Sequence, residues 1–390
     1  MHKSRVTVTR GDNGYENTLE ALKRFAPDLP AGGRILIKPN AGRMVDPDTG
    51  VNTSPAAVAA VLDYVSRQTA AELIVGESPI CGVRALESLE QCGIAEEARK
   101  RSIAVVDLDS ESPVTVKIPG AETLNSFKIC GLAHAADFII SVPVMKTHMH
   151  TVVSLSYKNM KGILYKKEKV RFHQLTNLES SRGDVKPLDL ALAEAGEKLR
   201  PDLSVIDGST GLEGFGPGSG TPIQSRLCVV GENPVSADAV ATRLMGIDPA
   251  RVPHLVLADQ LGFGNADLKE IHIDPREYRD WEVRFQMPPE KIDINYPGIM
   301  VHDRQSCSAC LSTLALLLER YNQLISEYGT KESPIHIAIG KDVGDAPPGT
   351  VFIGNCTRKC AAEGLFIKGC PPVSSYIIEQ IQKNLNIDRG

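Results

Sequence analysis

Four cysteines near the end of the chain have the residue type and spacing for metal chemistry. Cys307 and Cys310 form a C-x-x-C pair, and Cys356 and Cys370 follow at wider spacing. Structural zinc commonly uses two close pairs, whereas a cubane iron–sulfur cluster accepts a dispersed set because its iron corners are separated in space. The spacing therefore favours a [4Fe–4S] cluster over zinc, with buried thiols as a third interpretation. Cys360 could replace one of the four ligands.

A basic segment offers a second kind of chemistry. Between residues 141 and 173 the chain carries seven Lys or Arg residues and one acid, although its net charge is −5. Lys146 ends an apolar run, and Lys158 and Lys161 share one face if their stretch is helical. We expect these three lysines to bind a small carboxylate or phosphate, and residues 166–171 to form a solvated charged face.

Further polar residues fall at or just beyond predicted strand ends. Lys38 and Asn40 follow one apolar run, and Asp207 ends another. Glu213 lies in a glycine-rich stretch, residues 206–220, which lacks the following helix and the G-K-[ST] of nucleotide-binding loops. That stretch is predicted to be a flexible loop beside the substrate. The predicted substrate-binding residues are Lys38, Asn40, Lys146, Lys158 and Lys161, and the predicted acid/base residues are His148, Asp207 and Glu213.

Composition limits the class of protein and its location. The 390 residues have a net charge of −5, which is not the charge of a nucleic-acid binder. No apolar run reaches the length of a signal peptide or a membrane span, so we expect a cytoplasmic protein without a membrane partner. Nine cysteines, an odd number, suit metal ligation better than a disulfide framework.

Alternating apolar runs and helical patterns predict an α/β fold. Over residues 1–290 they indicate a largely parallel sheet with helices on both faces, in which ligands bind at the carboxyl ends of the strands. A Pro- and Gly-punctuated segment near 285–300 marks a boundary. Residues 291–390 are predicted to form a smaller α/β domain that carries the four cysteines.

Six segments of the chain resemble one known family, the domain of unknown function 362 family of iron–sulfur proteins. The matching residues are 35–40 (ILIKPN), 75–79 (VGESP), 142–148 (VPVMKTH), 158–162 (KNMKG), 201–208 (PDLSVIDG) and 234–238 (PVSAD). The resemblance implies a cytoplasmic protein whose relatives often carry cluster-binding cysteines, and it implies no particular reaction. Many relatives carry a ferredoxin module with C-x-x-C-x-x-C runs, which this chain replaces by a dispersed set. The overall plan is more loosely similar to that of the lactate-racemase family.

Our leading hypothesis is a [4Fe–4S] oxidoreductase that acts on a small anionic substrate. The chain has no flavin or nicotinamide motif, so electrons are expected from an external ferredoxin-like carrier. Three alternatives remain: a non-catalytic electron carrier or cofactor-assembly factor, a cluster-dependent lyase or isomerase, and a zinc-containing α/β enzyme. Homodimers are the commonest assemblies of soluble proteins, so a homodimer is expected.

Overall fold

The chain folds into two compact units, Met1–Pro288 and Pro289–Gly390, in the computed structural model. The structure describes residues 3–173, 175, 185–288, 296–372 and 374–385, apart from the side chains of 308, 309, 312 and 375. In these parts of the chain, every helix is too short or too polar to span a lipid bilayer.

An 11-stranded mixed sheet forms the centre of the first unit. Its strands are β1 (Ser4–Arg10), β2 (Arg34–Pro39), β3 (Glu72–Glu77), β4 (Ala104–Asp107), β7 (Phe138–Val142), β8 (Val144–His148), β9 (Val152–Ser154), β10 (Leu203–Glu213), β11 (Thr221–Ile223), β12 (Leu227–Gly231) and β13 (Ile271–Asp274). A separate hairpin consists of β5 (Val114–Lys117) and β6 (Ser126–Ile129). The main path runs β13-β1-β12-β10-β7-β2-β3-β4, and the five strands from β10 to β4 are mutually parallel.

Ten α-helices are assigned in the described part of the first unit. They are α1 (Gly14–Phe25), α2 (Pro55–Gln68), α3 (Ala85–Gln91), α4 (Ile94–Lys100), α5 (Gly131–His134), α6 (Ser156–Asn159), α7 (Glu168–His173), α8 (Pro187–Leu199), α9 (Pro234–Leu244) and α10 (Pro253–Gln260). Short 3-10 helices cover Leu108–Ser110, Met160–Ile163, Pro249–Arg251, Leu268–Glu270 and Tyr278–Trp281.

Apolar residues cover both faces of the large sheet. Successive residues of a strand point to opposite faces, and in β2 the side chains of Ile35 and Ile37 belong to the core that contains α1, α2 and α4. Leu36, between them, belongs to a second core that includes residues of α8. A third core packs α9 against β1 and β12. The predicted largely parallel sheet with helices on both faces is confirmed.

The carboxyl ends of the parallel strands lie at one edge of this sheet, which brings together loops that are distant in sequence. The glycine-rich stretch differs from its prediction, because residues 207–213 continue β10 instead of forming a loop. This half of β10 pairs with β11 on one side and with β8 on the other. Backbone pairing, which composition does not reveal, extends the strand.

The second unit contains a sheet of four parallel strands in the order in which they occur along the chain. The strands are β14 (Ile299–Arg304), β15 (Ile335–Gly340), β16 (Val351–Ile353) and β17 (Leu365–Ile367). The helices are α11 (Ser308–Ser326) and α12 (Ser374–Leu385), with a 3-10 helix at Asn355–Glu363. Leu314 and Leu317 of α11 and Ile377 of α12 pack on the sheet residue Ile337 in one apolar core.

Candidate functional site

Three of the four predicted cluster ligands follow parallel strands by the same distance. Cys307, Cys356 and Cys370 each lie three residues after the last residue of β14, β16 and β17. Because these strands are parallel, all three cysteines emerge at the carboxyl edge of the second sheet. Cys307 is the N-cap of α11, and Cys310 lies three residues later in the first turn of that helix. The strand register thus assembles residues that are up to 63 positions apart in the chain.

The four thiols influence one another electrostatically. The pKa of the buried Cys310 thiol is raised by its hydrogen bond with Cys307, by burial, and by the neighbouring thiols of Cys370 and Cys356. Each of the nine cysteines is a thiol and not half of a disulfide. Within the described residues, no three His, Cys, Asp or Glu side chains converge tightly enough to hold a single metal ion.

Two hydrogen bonds hold the loops of Cys356 and Cys370 together. Asn355 N–H donates to the Gly369 carbonyl at 2.8 Å, and Gly369 N–H donates to Oδ1 of Asn355 at 3.1 Å. Gly354 has φ +97°, a conformation that favours glycine. A Cβ at this position would lie 3.2 Å from Sγ of Cys310. Glycine therefore keeps the space beside that sulfur open.

Lys341 and Cys360 are two further ionisable side chains of the second unit. Lys341 directly follows β15 at the same edge, and burial lowers its pKa while Cys307 and Cys356 act in the opposite direction. The exposed Cys360 donates a hydrogen bond from its thiol to the Val343 carbonyl. Cys360 is not among the groups that shift the pKa of Cys310.

In the first unit, Lys38 is bound in a buried ion pair. Its Nζ lies 2.8 Å from Oε1 of Glu77 and also donates to Oδ1 of Asn159 at 3.2 Å. Glu77 in turn accepts hydrogen bonds from the backbone N–H groups of Ala41 and Ser78 at 2.9 and 2.8 Å. Burial is the main cause that lowers the pKa of Lys38, and the charge of Glu77 opposes it. The charges and hydrogen-bonding groups of this pair are satisfied internally, so Lys38 is held as part of the scaffold.

Lys146 has polar partners but no acidic one in the described chain. Its Nζ donates to Oδ1 of Asn40 at 2.5 Å and to the Val51 carbonyl at 2.7 Å. The pKa of Lys146 is well below its usual value because the side chain is buried and the charges of Lys158 and Arg43 are close. An ammonium group in this environment is stabilised when an anion binds beside it. The structure thus joins the predicted residues Asn40 and Lys146.

Lys158 lies on α6, whose start is anchored by a buried carboxylate. Asp238 accepts the backbone N–H groups of Ser156 and Tyr157, both at 2.8 Å, and burial raises the pKa of Asp238 to about 8. Lys158 is half-buried and forms no hydrogen bond or ion pair with any described residue. Burial lowers its pKa to about 8, while Asp189 acts to raise it. Lys158 is therefore available to a ligand.

Lys158 should react with electrophiles at lower pH than ordinary lysines, because only the unprotonated amine is a nucleophile. We expect its rate of acetylation by a soluble reagent, followed by peptide mass spectrometry, to reach half of its maximum near pH 8. Lys100 is the internal control, because its hydrogen bond to Glu97 raises its pKa above the usual value of 10.5. Parallel pH profiles for the two lysines would contradict the environment described for Lys158.

His148 is a buried, neutral imidazole next to these lysines. Its Nδ1 accepts the backbone N–H groups of His150 and Thr151 at 3.1 and 3.2 Å, which leaves its proton on Nε2. Burial and the nearby charge of Lys158 hold the pKa of His148 well below its usual value. Nζ of Lys161 lies 2.6 Å from Nε2 of His173. The structure thus brings His148 and the predicted basic residues into one region.

Arg43 belongs to this region but was not predicted from the sequence. Burial lowers its pKa, and its guanidinium makes no hydrogen bond or ion pair with the described residues. The guanidinium packs against Gly218, where an added Cβ would lie 2.4 Å from Nε. Arg43 sits in the loop after β2, and nothing in the local pattern distinguishes it from other polar loop residues.

Asp207 and Glu213 make contacts typical of anchoring residues. The buried Asp207 accepts the backbone N–H groups of Ser54 and Ser209 at 2.8 and 2.9 Å, and burial raises its pKa. Glu213 accepts the backbone N–H of Gln286 at 2.7 Å. Their oxygens hold backbone segments in place, which favours a structural role for both.

The fold and these two groups of residues define an α/β protein of two units, with a group of buried and half-buried cations in the first unit and four cysteines on the second sheet. The chain belongs to the family described as Domain of unknown function (DUF362), whose model matches residues 35–243. This match includes Arg43, Lys146 and Lys158 and not the four cysteines of the second unit.

Among the proteins to which the chain is similar are one relative and two solved structures. The protein named "Thylakoid-associated protein sll1697" from Synechocystis sp. is 27% identical over 287 residues, which is 72% of this chain and 85% of the relative. The lactate racemase apoprotein from Thermoanaerobacterium thermosaccharolyticum is 11% identical with a TM-score of 0.41, covering 86% of this chain and 69% of its own. A crystal structure of a protein from Thermotoga maritima is 15% identical with a TM-score of 0.38. The match covers 64% of this chain and 60% of that protein.

Proposed function

We propose that this protein is a [4Fe–4S] oxidoreductase that acts on a small carboxylate or phosphate. The observation that carries the proposal is the meeting of four cysteines at the carboxyl edge of the second sheet. The proposal includes a cytoplasmic location, where thiols stay reduced. It also includes an external ferredoxin-like electron carrier and a homodimeric assembly.

The donor set of the second unit supports a cluster as its cofactor. Cys307, Cys310, Cys356 and Cys370 would supply four thiolates, the ligands that iron–sulfur clusters use. Cys307, Cys356 and Cys370 all raise the pKa of Cys310, so the four sulfurs lie within electrostatic range of one another. The open space at Gly354 supports the same interpretation. When bound, such a cluster supplies one-electron transfer.

The crevice residues support an anionic substrate. Lys146, Lys158 and Arg43 lie near one another without a carboxylate partner among the described residues, so they can bind and orient a negatively charged group. His148 holds a proton on Nε2 and can exchange it with a bound molecule. Charge, and not a nucleotide motif, would select the substrate.

The decisive test is purification without oxygen, followed by iron and sulfide analysis and visible spectroscopy. We expect a brown protein with about four iron and four sulfide per chain, whose absorption bleaches on reduction. Colourless protein with one zinc per chain would favour the zinc enzyme and overturn the cluster. Protein that contains neither metal after reconstitution with iron and sulfide would overturn both interpretations of the thiols.

A further inference from the structure

Three cations meet where three loops of the first unit come together. Lys146, the central residue of β8, donates to Asn40 and Val51 and so holds the loop after β2. The same loop carries Arg43, which packs on Gly218 of the glycine-rich segment. Lys158 follows β9, which pairs with β8 next to Lys146. Lys146 is thus held by Asn40 and Val51, and Arg43 by packing against Gly218, without an ion pair to any described residue.

The buried carboxylates of this region are almost all occupied. Glu77 binds Lys38, while Asp207 and Asp238 each accept two backbone N–H groups. Among the described residues the exception is Asp189, whose side-chain oxygens form no hydrogen bond; its Oδ1 lies 3.5 Å from Nδ1 of His254, and its charge acts on Lys158. Three cations against this one carboxylate leave two positive charges uncompensated when all groups are ionised.

Lys161 and His173 add no negative charge to this balance, and Nζ of Lys161 lies 2.6 Å from Nε2 of His173. His148 is neutral, with its Nδ1 occupied by backbone donors. When Arg43, Lys146 and Lys158 are all protonated, the described residues of this region carry an excess of two positive charges, and a bound dianion would favour that protonated state more than a monoanion would.

We propose that the crevice binds a doubly charged anion, a phosphate monoester or a dicarboxylate, through Arg43, Lys146 and Lys158, and discriminates against monocarboxylates. The inference rests on the proposed function, because it assigns the charge of the substrate at the same site. Arg43 offers two parallel N–H donors to a pair of anionic oxygens, as guanidinium groups commonly do. Lys158 and the remaining N–H of Lys146 can bind a second anionic group.

The experiment is isothermal titration of the anaerobically purified full chain at pH 7.5 and constant ionic strength. The ligands are inorganic phosphate, malonate and acetate, which separate a phosphate site from a dicarboxylate site and both from a monoanion site. We expect phosphate or malonate to bind at least about tenfold more tightly than acetate, because one further charged hydrogen bond is worth about that factor. Tight binding of only one of the two dianions would show whether the site takes a phosphate or a dicarboxylate.

Two variants and one control assign the effect to the named residues. Arg43→Gln and Lys158→Gln should each weaken dianion binding about tenfold and reduce its advantage over acetate. Lys167→Gln, at an exposed lysine of the same basic segment, should change neither. The fluorescence of Trp281, the single tryptophan, verifies that each variant is folded.

The possible failures are distinguishable. Equal affinity for acetate and both dianions, or unchanged dianion binding in both glutamine variants, would overturn this inference and leave an anion-binding enzyme in place. Failure of all three anions to bind would instead remove the anion-binding part of the proposed function, and this inference with it.

Discussion

Replacing Cys370 by Ser should remove most of the iron from the protein. The serine hydroxyl is a far weaker ligand for iron than a thiolate, and the remaining thiols would be left with an incomplete set. The same result is expected for Cys356→Ser, since both cysteines emerge at one edge of the second sheet. Iron and sulfide content per chain and the visible spectrum, measured after anaerobic purification, should fall from about four atoms of each to near zero.

Cys360→Ser is the matched control, because Cys360 lies in the same 3-10 helix as Cys356. Its thiol donates to the Val343 carbonyl, a contact that a serine hydroxyl can also make. We expect it to keep its iron. Iron retained in Cys370→Ser but lost in Cys360→Ser would mean that Cys360 is the fourth ligand. Circular dichroism separates cluster loss from unfolding of the unit.

Glu77→Gln should be the most destabilising of the conservative changes in the first unit. It leaves the fully buried Lys38 ammonium without its carboxylate, and breaking one partner of a buried pair costs about 3–5 kcal/mol. The glutamine amide also cannot accept both backbone N–H groups that Glu77 binds. The free energy of unfolding can be measured by urea titration with the fluorescence of Trp281 as the signal. Trp281 packs against a core of the first unit and therefore reports on its unfolding.

Two comparisons make this prediction specific. Glu72→Gln breaks the ion pair with Arg34 and should lower the free energy of unfolding by less than about 1 kcal/mol. The side chains of Glu72 and Arg34 are 59% and 37% exposed, so water already screens this pair. The double variant Lys38→Met with Glu77→Gln should recover part of the lost stability, because no uncompensated charge is then buried. A Glu77→Gln variant as stable as Glu72→Gln would show that the buried pair is unimportant for stability.

Much of the fold could be predicted from local sequence. The apolar run containing Ile35, Leu36 and Ile37 predicts a strand covered on both faces, and the structure divides these residues between two cores. The sequence pattern also indicated the family, which the match to residues 35–243 confirms. Strand-end positions marked Lys146 and Asn40 as neighbours of a crevice, and the two form a hydrogen bond.

Local pattern could not decide which of these polar groups pair with one another. The charge pattern predicts that Lys169 lies on a solvated face, yet Lys169 is buried, hydrogen-bonded to Ser78 and 3.7 Å from Oδ2 of Asp109. The sequence predicts that Lys38 binds substrate, and it does not reveal the ion pair that Lys38 forms with Glu77 of the neighbouring strand. Partners on different strands are chosen by sheet order, which the spacing of residues along one strand does not contain.

By itself, the sequence determined the alternation of strands and helices, the cysteine set and the basic segment. Only the tertiary structure decided that three cysteines follow three parallel strands by equal distances, and that Arg43 joins Lys146 and Lys158. The physical reason is that secondary structure follows from neighbours along the chain, whereas a binding site depends on which strands lie side by side. Burial then separates lysines that pair internally from lysines that stay available to a ligand.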